Sequence, residues 1–179
     1  IDRAFDATAL NAAGVRAPYE LRDRRLVSQA AMSLVERRER APRAAGLFSY
    51  ITNFAHYPVW QNTQVTYYPL GENQYADMLT ELKKAKKFIF LEYFILEEGE
   101  MWNSILDILI QKVNEGVDVR VIYDDMGCLP KLPANYYRKL KRLGIKCLDF
   151  NPFIPIISLV MNNRDHKKIM IIDGNTGFT

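Results

Sequence analysis

HKKIMIID, residues 166–173, carries side chains of the types and spacing that phosphoryl chemistry uses: His166, Lys168 and Asp173 meet the pattern His-x-Lys-x-x-x-x-Asp. In a strand, alternate residues share a face, so His166 and Lys168 stand about 6–7 Å apart along one face. An imidazole can attack phosphorus while a neighbouring ammonium offsets charge on the non-bridging oxygens. Asp173 has the opposite parity and sits at the strand end, where it is expected to orient backbone or a turn rather than touch substrate. The plainer reading is that these polar groups decorate a strand entrance, and the surrounding elements weigh against it.

Those side chains can act only if a sheet holds them. Apolar spacing predicts a short strand over Val65 to Leu70, a helix over Gly71 to Lys87, and a buried strand in FIFLEYFIL, residues 88–96. Trp102, Ile105, Leu106, Leu109 and Val113 recur at helical spacing, and Gly116 ends that helix. VDVRVIYDD, residues 117–125, reads as a strand, Ala134 to Leu143 as a helix closed by Gly144, and Ile145 to Phe150 as another strand. This alternation predicts an α/β sandwich with parallel neighbours. Residues 166–173 then add a strand, reached through a long Pro-broken excursion over 151–163.

The 179 residues are 49% hydrophobic and 12% aromatic, enough for one ordinary globular domain, which excludes disorder throughout. A net charge of +3 suits anionic partners, phospholipid headgroups or nucleic acid, without choosing between them. Residues 1–45 hold nine arginines and no lysine, whereas all eleven lysines lie from Lys83 onward. That shift divides the chain into a basic helical arm, 1–56, and a domain, 57–179, with Asn53 to Thr63 read as linker. Tyr19 to Arg40 reads as one amphipathic helix, either packed on the domain with its arginines solvated or drawn as a juxtamembrane arm to anionic lipid. No apolar run reaches the roughly 18 residues of a membrane span. Cys128 and Cys147 lack CxxC or zinc spacing and read as apolar fillers. The chain starts at Ile1 and stops after Gly177, Phe178 and Thr179 without a closing helix, which predicts a fragment of a longer protein.

Other polar positions carry two readings each. Glu92 is either a carboxylate at the edge of a pocket, able to contact substrate, or a residue on a wet face. Asp124 and Asp125 end a strand where α/β folds place their sites, yet turn and capping roles explain them as well. No metal is assigned to them, and His56 reads as a loop residue. FNPFIPIISLVM, residues 150–161, is too short and Pro-interrupted to cross a bilayer. It is either a buried connector or an apolar lip, led by Phe153, Ile154 and Ile156, that dips into a membrane.

The stretches YPVWQNTQVTYYPLGENQY, KKAKKFIFLEYFIL, GVDVRVIYDDMG and NNRDHKKIMIIDGNTGFT together resemble the phospholipase D superfamily, and within it the bacterial cardiolipin synthases. They cover about residues 57–179 in the order of that family's first half. His166, Lys168 and Asp173 fall on the signature positions, with Lys167 where arginine is commoner. The resemblance implies a phospholipase D-like mixed sheet sandwiched by helices, one half of the usual two-lobed enzyme. It implies phosphatidyl transfer without metal or cofactor: His166 attacks one phosphatidylglycerol, and a second takes the phosphatidyl group to give cardiolipin. Glu92 and Asn163 are then expected to help bind substrate. The expected partners are anionic phospholipid and the surface of the bacterial cell membrane, together with a second His-Lys-Asp motif from a C-terminal half or another chain. The family's signature continues with Gly-Gly-x-Asn and an acidic residue that orients the histidine; neither follows here, and no second motif is present. The chain alone is therefore expected to be inactive. Two alternatives stand beside this one: a phosphodiesterase or nuclease, against which the lack of a continuous basic and aromatic stripe argues, and a non-catalytic lipid-binding fragment.

Overall fold

The computed structural model describes residues 38–57, 59, 63–152 and 163–179. Backbone contacts divide the chain into one unit ending at Tyr67 and another running from Tyr68 to Thr179. The first unit contains helix α1 (Ala45–Phe54), in which the Ser49 and Thr52 hydroxyls donate to carbonyls one turn back, at Ala45 and Phe48. The stretch read as linker from Asn53 therefore opens inside a helix. Of the helix read over Tyr19 to Arg40, residues 38–40 are described and helical; the rest of that reading lies outside the described residues.

The second unit runs α2 (Gly71–Lys84), β1 (Phe88–Tyr93), α3 (Glu100–Asn114), β2 (Asp118–Asp124), α4 (Asp125–Cys128), α5 (Tyr136–Arg142), β3 (Lys146–Phe150), β4 (Lys168–Ile172) and β5 (Thr176–Phe178). The five strands form one mixed sheet in the order β3-β2-β1-β4-β5. β1, β2 and β3 pair in parallel through the helical crossovers, while β4 lies antiparallel to β1 and β5 antiparallel to β4. The helix–strand alternation thus set the parallel half, and the short turn after Ile172 makes β5 antiparallel to β4.

Period-two alternation decides which face is covered. Ile89, Leu91, Val119, Val121, Tyr123, Cys147, Met170 and Ile172 are buried and join Leu82, Trp102, Ile105, Leu109 and Leu140 from the helices in one core. Phe88, Phe90, Ile122, Leu148, Ile169 and Ile171, on the other parity, are half-buried and stand outside that cluster. His166 and Lys168 have the parity of Met170 and Ile172, so they continue the helix-covered face beyond its edge.

Several element ends differ from the sequence reading, each for a local reason. Residues 63–68 form no strand, and Val65 and Tyr67 are 83% and 85% exposed. Pro69 lacks the N–H a ladder needs, and among the described residues no strand pairs with the segment. α2 stops at Lys84 rather than Lys87 because the N–H groups of Lys86 and Lys87 go to the Asp173 carboxylate. β1 ends at Tyr93 rather than Leu96, since the Leu96 N–H turns away to the Cys128 sulfur at 3.1 Å. α5 begins at Tyr136, after Asn135 in the left-handed region at φ 61°. β4 begins at Lys168, not His166, although the Phe94 N–H still donates to the Lys167 carbonyl at 2.8 Å.

Among the described residues, no helix is long and apolar enough to cross a membrane. Phe153, Ile154 and Ile156, read as an apolar lip, lie outside the described residues.

Candidate active site

His166 and Lys168 are exposed neighbours at the mouth of β4, and their tips meet. Lys168 Nζ lies 2.9 Å from His166 Nε2 and 3.3 Å from Nδ1. An ammonium only donates, so it faces an imidazole nitrogen that accepts. Phe94 forms the floor of the pair. Its ring centroid is 4.7 Å from that of His166 at 60°, and Lys168 Nζ lies 5.6 Å above it. The result is an imidazole and an ammonium converging on one exposed point, with the ring orientation set by an aromatic neighbour.

Asp173 is elsewhere. It and Gly174 adopt φ 53° and 78°, and the Asn175 N–H closes the turn onto the Ile172 carbonyl at 3.2 Å, an Asp-Gly connection that folds β5 back on β4. Its Oδ1 accepts from the N–H groups of Lys87 and Phe88 at 2.8 and 2.9 Å, and Oδ2 from that of Lys86 at 2.9 Å. Desolvation alone would raise this carboxyl. The three donors, Phe88, Lys86 and Lys87, outweigh it and hold the group below the usual carboxylate range. Asp173 thus ties the end of β4 to the start of β1 and does not reach the imidazole's face.

A second carboxylate holds the other end. Asp124 is completely buried at the end of β2. Its Oδ1 accepts from the Gly127 N–H at 2.9 Å and from Arg164 Nη1 at 3.1 Å, while Oδ2 accepts from the Asp165 N–H at 2.9 Å. One side chain therefore caps α4 and fixes the two residues immediately before His166. Gly127 completes the support, because a Cβ there would stand 2.4 Å from the Phe94 carbonyl oxygen and 2.9 Å from its ring. Cys128 adds the bond from Leu96, and burial raises its thiol, as it pushes that of Cys147 up to about 12. Both sulfurs are free and buried, and such thiols make poor nucleophiles.

On the opposite sheet face, Lys167 Nζ pairs with Glu92 Oε1 at 2.7 Å and lies 3.5 Å from Asp165 Oδ1. Asp165 is 7% exposed. Burial, reinforced by the hydrogen bond and charge of Glu92, pushes its carboxyl up to about 6, against the pull of Lys167. Asn163 is exposed, and its carbonyl accepts from Asn151 Nδ2 at 3.0 Å. Among the described residues, no group of three or more His, Cys, Asp or Glu is placed to hold a metal ion.

A family model described as the phospholipase D-like domain of cardiolipin synthase matches residues 78–179. The chain belongs to the phospholipase D superfamily and is cardiolipin synthase-like. A protein of Streptococcus mutans serotype c, given as uncharacterised, is 44% identical over 90% of this chain and 33% of its own length. The cardiolipin synthase of Oceanobacillus iheyensis is 41% identical over 66% of this chain and 24% of its own. The chain thus spans about a fifth to a third of the length of the curated relatives it matches. Among solved structures, Nuc, a phospholipase D family member from Salmonella typhimurium, aligns with a TM-score of 0.39 and 19% identity over 55% of this chain and 56% of its own.

Within this phospholipase D-like domain the structure brings His166 and Lys168 together, puts Asp173 at the far end of β4, and leaves Glu92 on the opposite face, held by Lys167. Of the two aspartates left open between site and turn, Asp124 caps a turn and also braces the residues before His166. Phe94 and Gly127 went unread as site residues. The only signal for either was its place in the stretches FIFLEYFIL and DDMG; what makes them matter is a contact between segments far apart in sequence.

Proposed function

We propose that this chain supplies one half of a phosphatidyltransferase site, in an enzyme of bacterial phospholipid synthesis that makes cardiolipin from two phosphatidylglycerols at the membrane surface. The observation that supports this reading best is the exposed His166–Lys168 pair, with 2.9 Å between ammonium and imidazole on a strand braced at both ends. An arriving phosphodiester draws the ammonium onto its non-bridging oxygens and leaves a ring nitrogen free to attack phosphorus. The nitrogen–phosphorus bond forms as the phosphorus–oxygen bond to the glycerol headgroup breaks, giving a phosphatidyl-histidine. The departing oxygen takes a proton from a general acid. A hydroxyl of the second phosphatidylglycerol then attacks, its proton goes to the conjugate base, and His166 is released.

The likeness to the cardiolipin synthases supports a second His-Lys-Asp copy, in a further half or a second chain, as the source of the acid and base. Anionic phospholipid is the partner that this chemistry requires. The test is phosphatidyl transfer by the longer protein that carries this segment, using radiolabelled phosphatidylglycerol with and without His166→Ala. A trapped phosphatidyl-enzyme, lost in the folded variant and indifferent to chelator, is the expected result. Near wild-type turnover by folded His166→Ala would remove the nucleophile, and cleavage of nucleic acid with no lipid transfer would favour a nuclease.

A further inference from the structure

Lys168 has a second neighbourhood. Its side chain forms part of the wall of an open cavity of about 660 Å³ between the ends of β1 and β5 and helices α2 and α3. That size lies within the ~300–1,000 Å³ range of small-molecule sites. The wall is apolar: Met78, Leu91, Tyr93, Leu96, Trp102 and Phe178. Burial pushes the Tyr93 phenol up to about 12, so that wall stays uncharged. Ile95 and Met101 also line the cavity, yet they are 46% and 48% exposed, so the apolar lining continues out to solvent.

Charge selects the occupant. The remaining lining includes Glu97, Glu98 and Glu100, all exposed, with Glu97 and Glu98 paired to Lys131 and Lys139. Among the cavity's lining residues Lys168 is the cation, and it stands at the His166 end. A phosphate is repelled by the carboxylates and attracted to the Lys168 end. The apolar body of the cavity suits an uncharged hydrocarbon.

Building on the phosphatidyl-transfer reading, we propose that this cavity holds an acyl chain of the phosphatidyl group, whose phosphate sits at His166 and Lys168. Lys168 links the two: it lines the cavity while its ammonium meets the imidazole. The phospholipid is thus recognised by its acyl tail as well as its headgroup.

The test uses the 179-residue chain with Trp60→Phe, so that Trp102 in the cavity wall is the fluorophore. The probe is a short-chain phosphatidylglycerol brominated in its acyl tails, below its micelle threshold. Saturable quenching of Trp102 is expected, and the deacylated headgroup, glycerophosphoglycerol, should not reverse it. Ile95→Ser with Met101→Ser should weaken quenching about tenfold; both positions are about half exposed, so the fold should survive, and the headgroup competition needs no variant. No saturable quenching, quenching unaltered by the double variant, or full displacement by glycerophosphoglycerol would overturn the proposal. A brominated short-chain diacylglycerol separates it from the parent reading. Quenching by that neutral lipid keeps the tail site even if transfer fails, whereas transfer without any quenching removes the tail site alone.

Discussion

Asp165 and Asp173, two carboxylates at opposite ends of the segment that carries His166, are pushed in opposite directions, and the pH dependence of stability should separate them. Asp173 gains three backbone donors on folding and its carboxyl falls below the usual value near 3.8. Its contribution is complete above the unfolded value and fades as pH drops through the lower folded one. Asp173→Ala should cost about 1 kcal/mol at neutral pH, since water can replace the bonds to the exposed Lys86 and Lys87 N–H groups, with the gap from wild type narrowing below about pH 4. Urea unfolding at pH 7 and pH 3 checks this; an equal gap at both would deny the carboxylate its role. Asp165 behaves inversely. Its carboxyl rises to about 6 in the folded chain, so its favourable contribution is present below the unfolded value and lost as pH climbs through about 6. Asp165→Asn keeps the backbone N–H that binds Asp124, and it should gain on wild type between pH 4.5 and pH 7.5. A pH-independent difference between the two proteins would contradict the shift.

At the scale of elements, α4 decides where His166 points, although it is four residues long and carries no catalytic group. Its start is fixed by Asp124, its glycine admits Phe94, and Phe94 carries the imidazole. Gly127→Ala must push a backbone carbonyl as well as a ring, because the new methyl meets the Phe94 oxygen. Overpacking of this kind costs about 1–3 kcal/mol. The His166 imidazole resonances should shift, and transfer by the longer protein should fall more than stability does. Unchanged resonances in a folded Gly127→Ala protein would show that α4 does not govern the ring. The same contacts explain what the sequence could tell. α3 was legible because its apolar period matches the face it buries, and β1 and the residues of β4 because they are near-continuous apolar runs. The motif was legible because its residues lie within eight positions, 166–173. Element ends and bracing residues were not, since Lys86, Leu96 and Phe94 take partners that are neighbours only after folding.

For the molecule as a whole, stability should reside in residues 68–179. The core cluster draws every buried member from Met78 onward, and Tyr68, the first residue of this unit, already packs against it with its hydroxyl donating to Asp77 at 2.6 Å. Composition placed the boundary after residue 56; the backbone parts after Tyr67, once the segment ahead of Tyr68 fails to join the sheet. Among the described residues the cluster and the side chains packed against it all lie from Tyr68 onward, so a chain beginning at Tyr68 should fold cooperatively. Its melting midpoint should lie within about 5 °C of the full chain's, the shift that roughly 1 kcal/mol produces in a domain of this size. Trp102 provides the signal, because its indole N–H donates to the Tyr136 hydroxyl at 2.8 Å inside the core and Trp60 leaves with the excised segment. A broad, uncooperative melt, or a loss well beyond 10 °C, would mean that residues 1–67 belong to the folding unit.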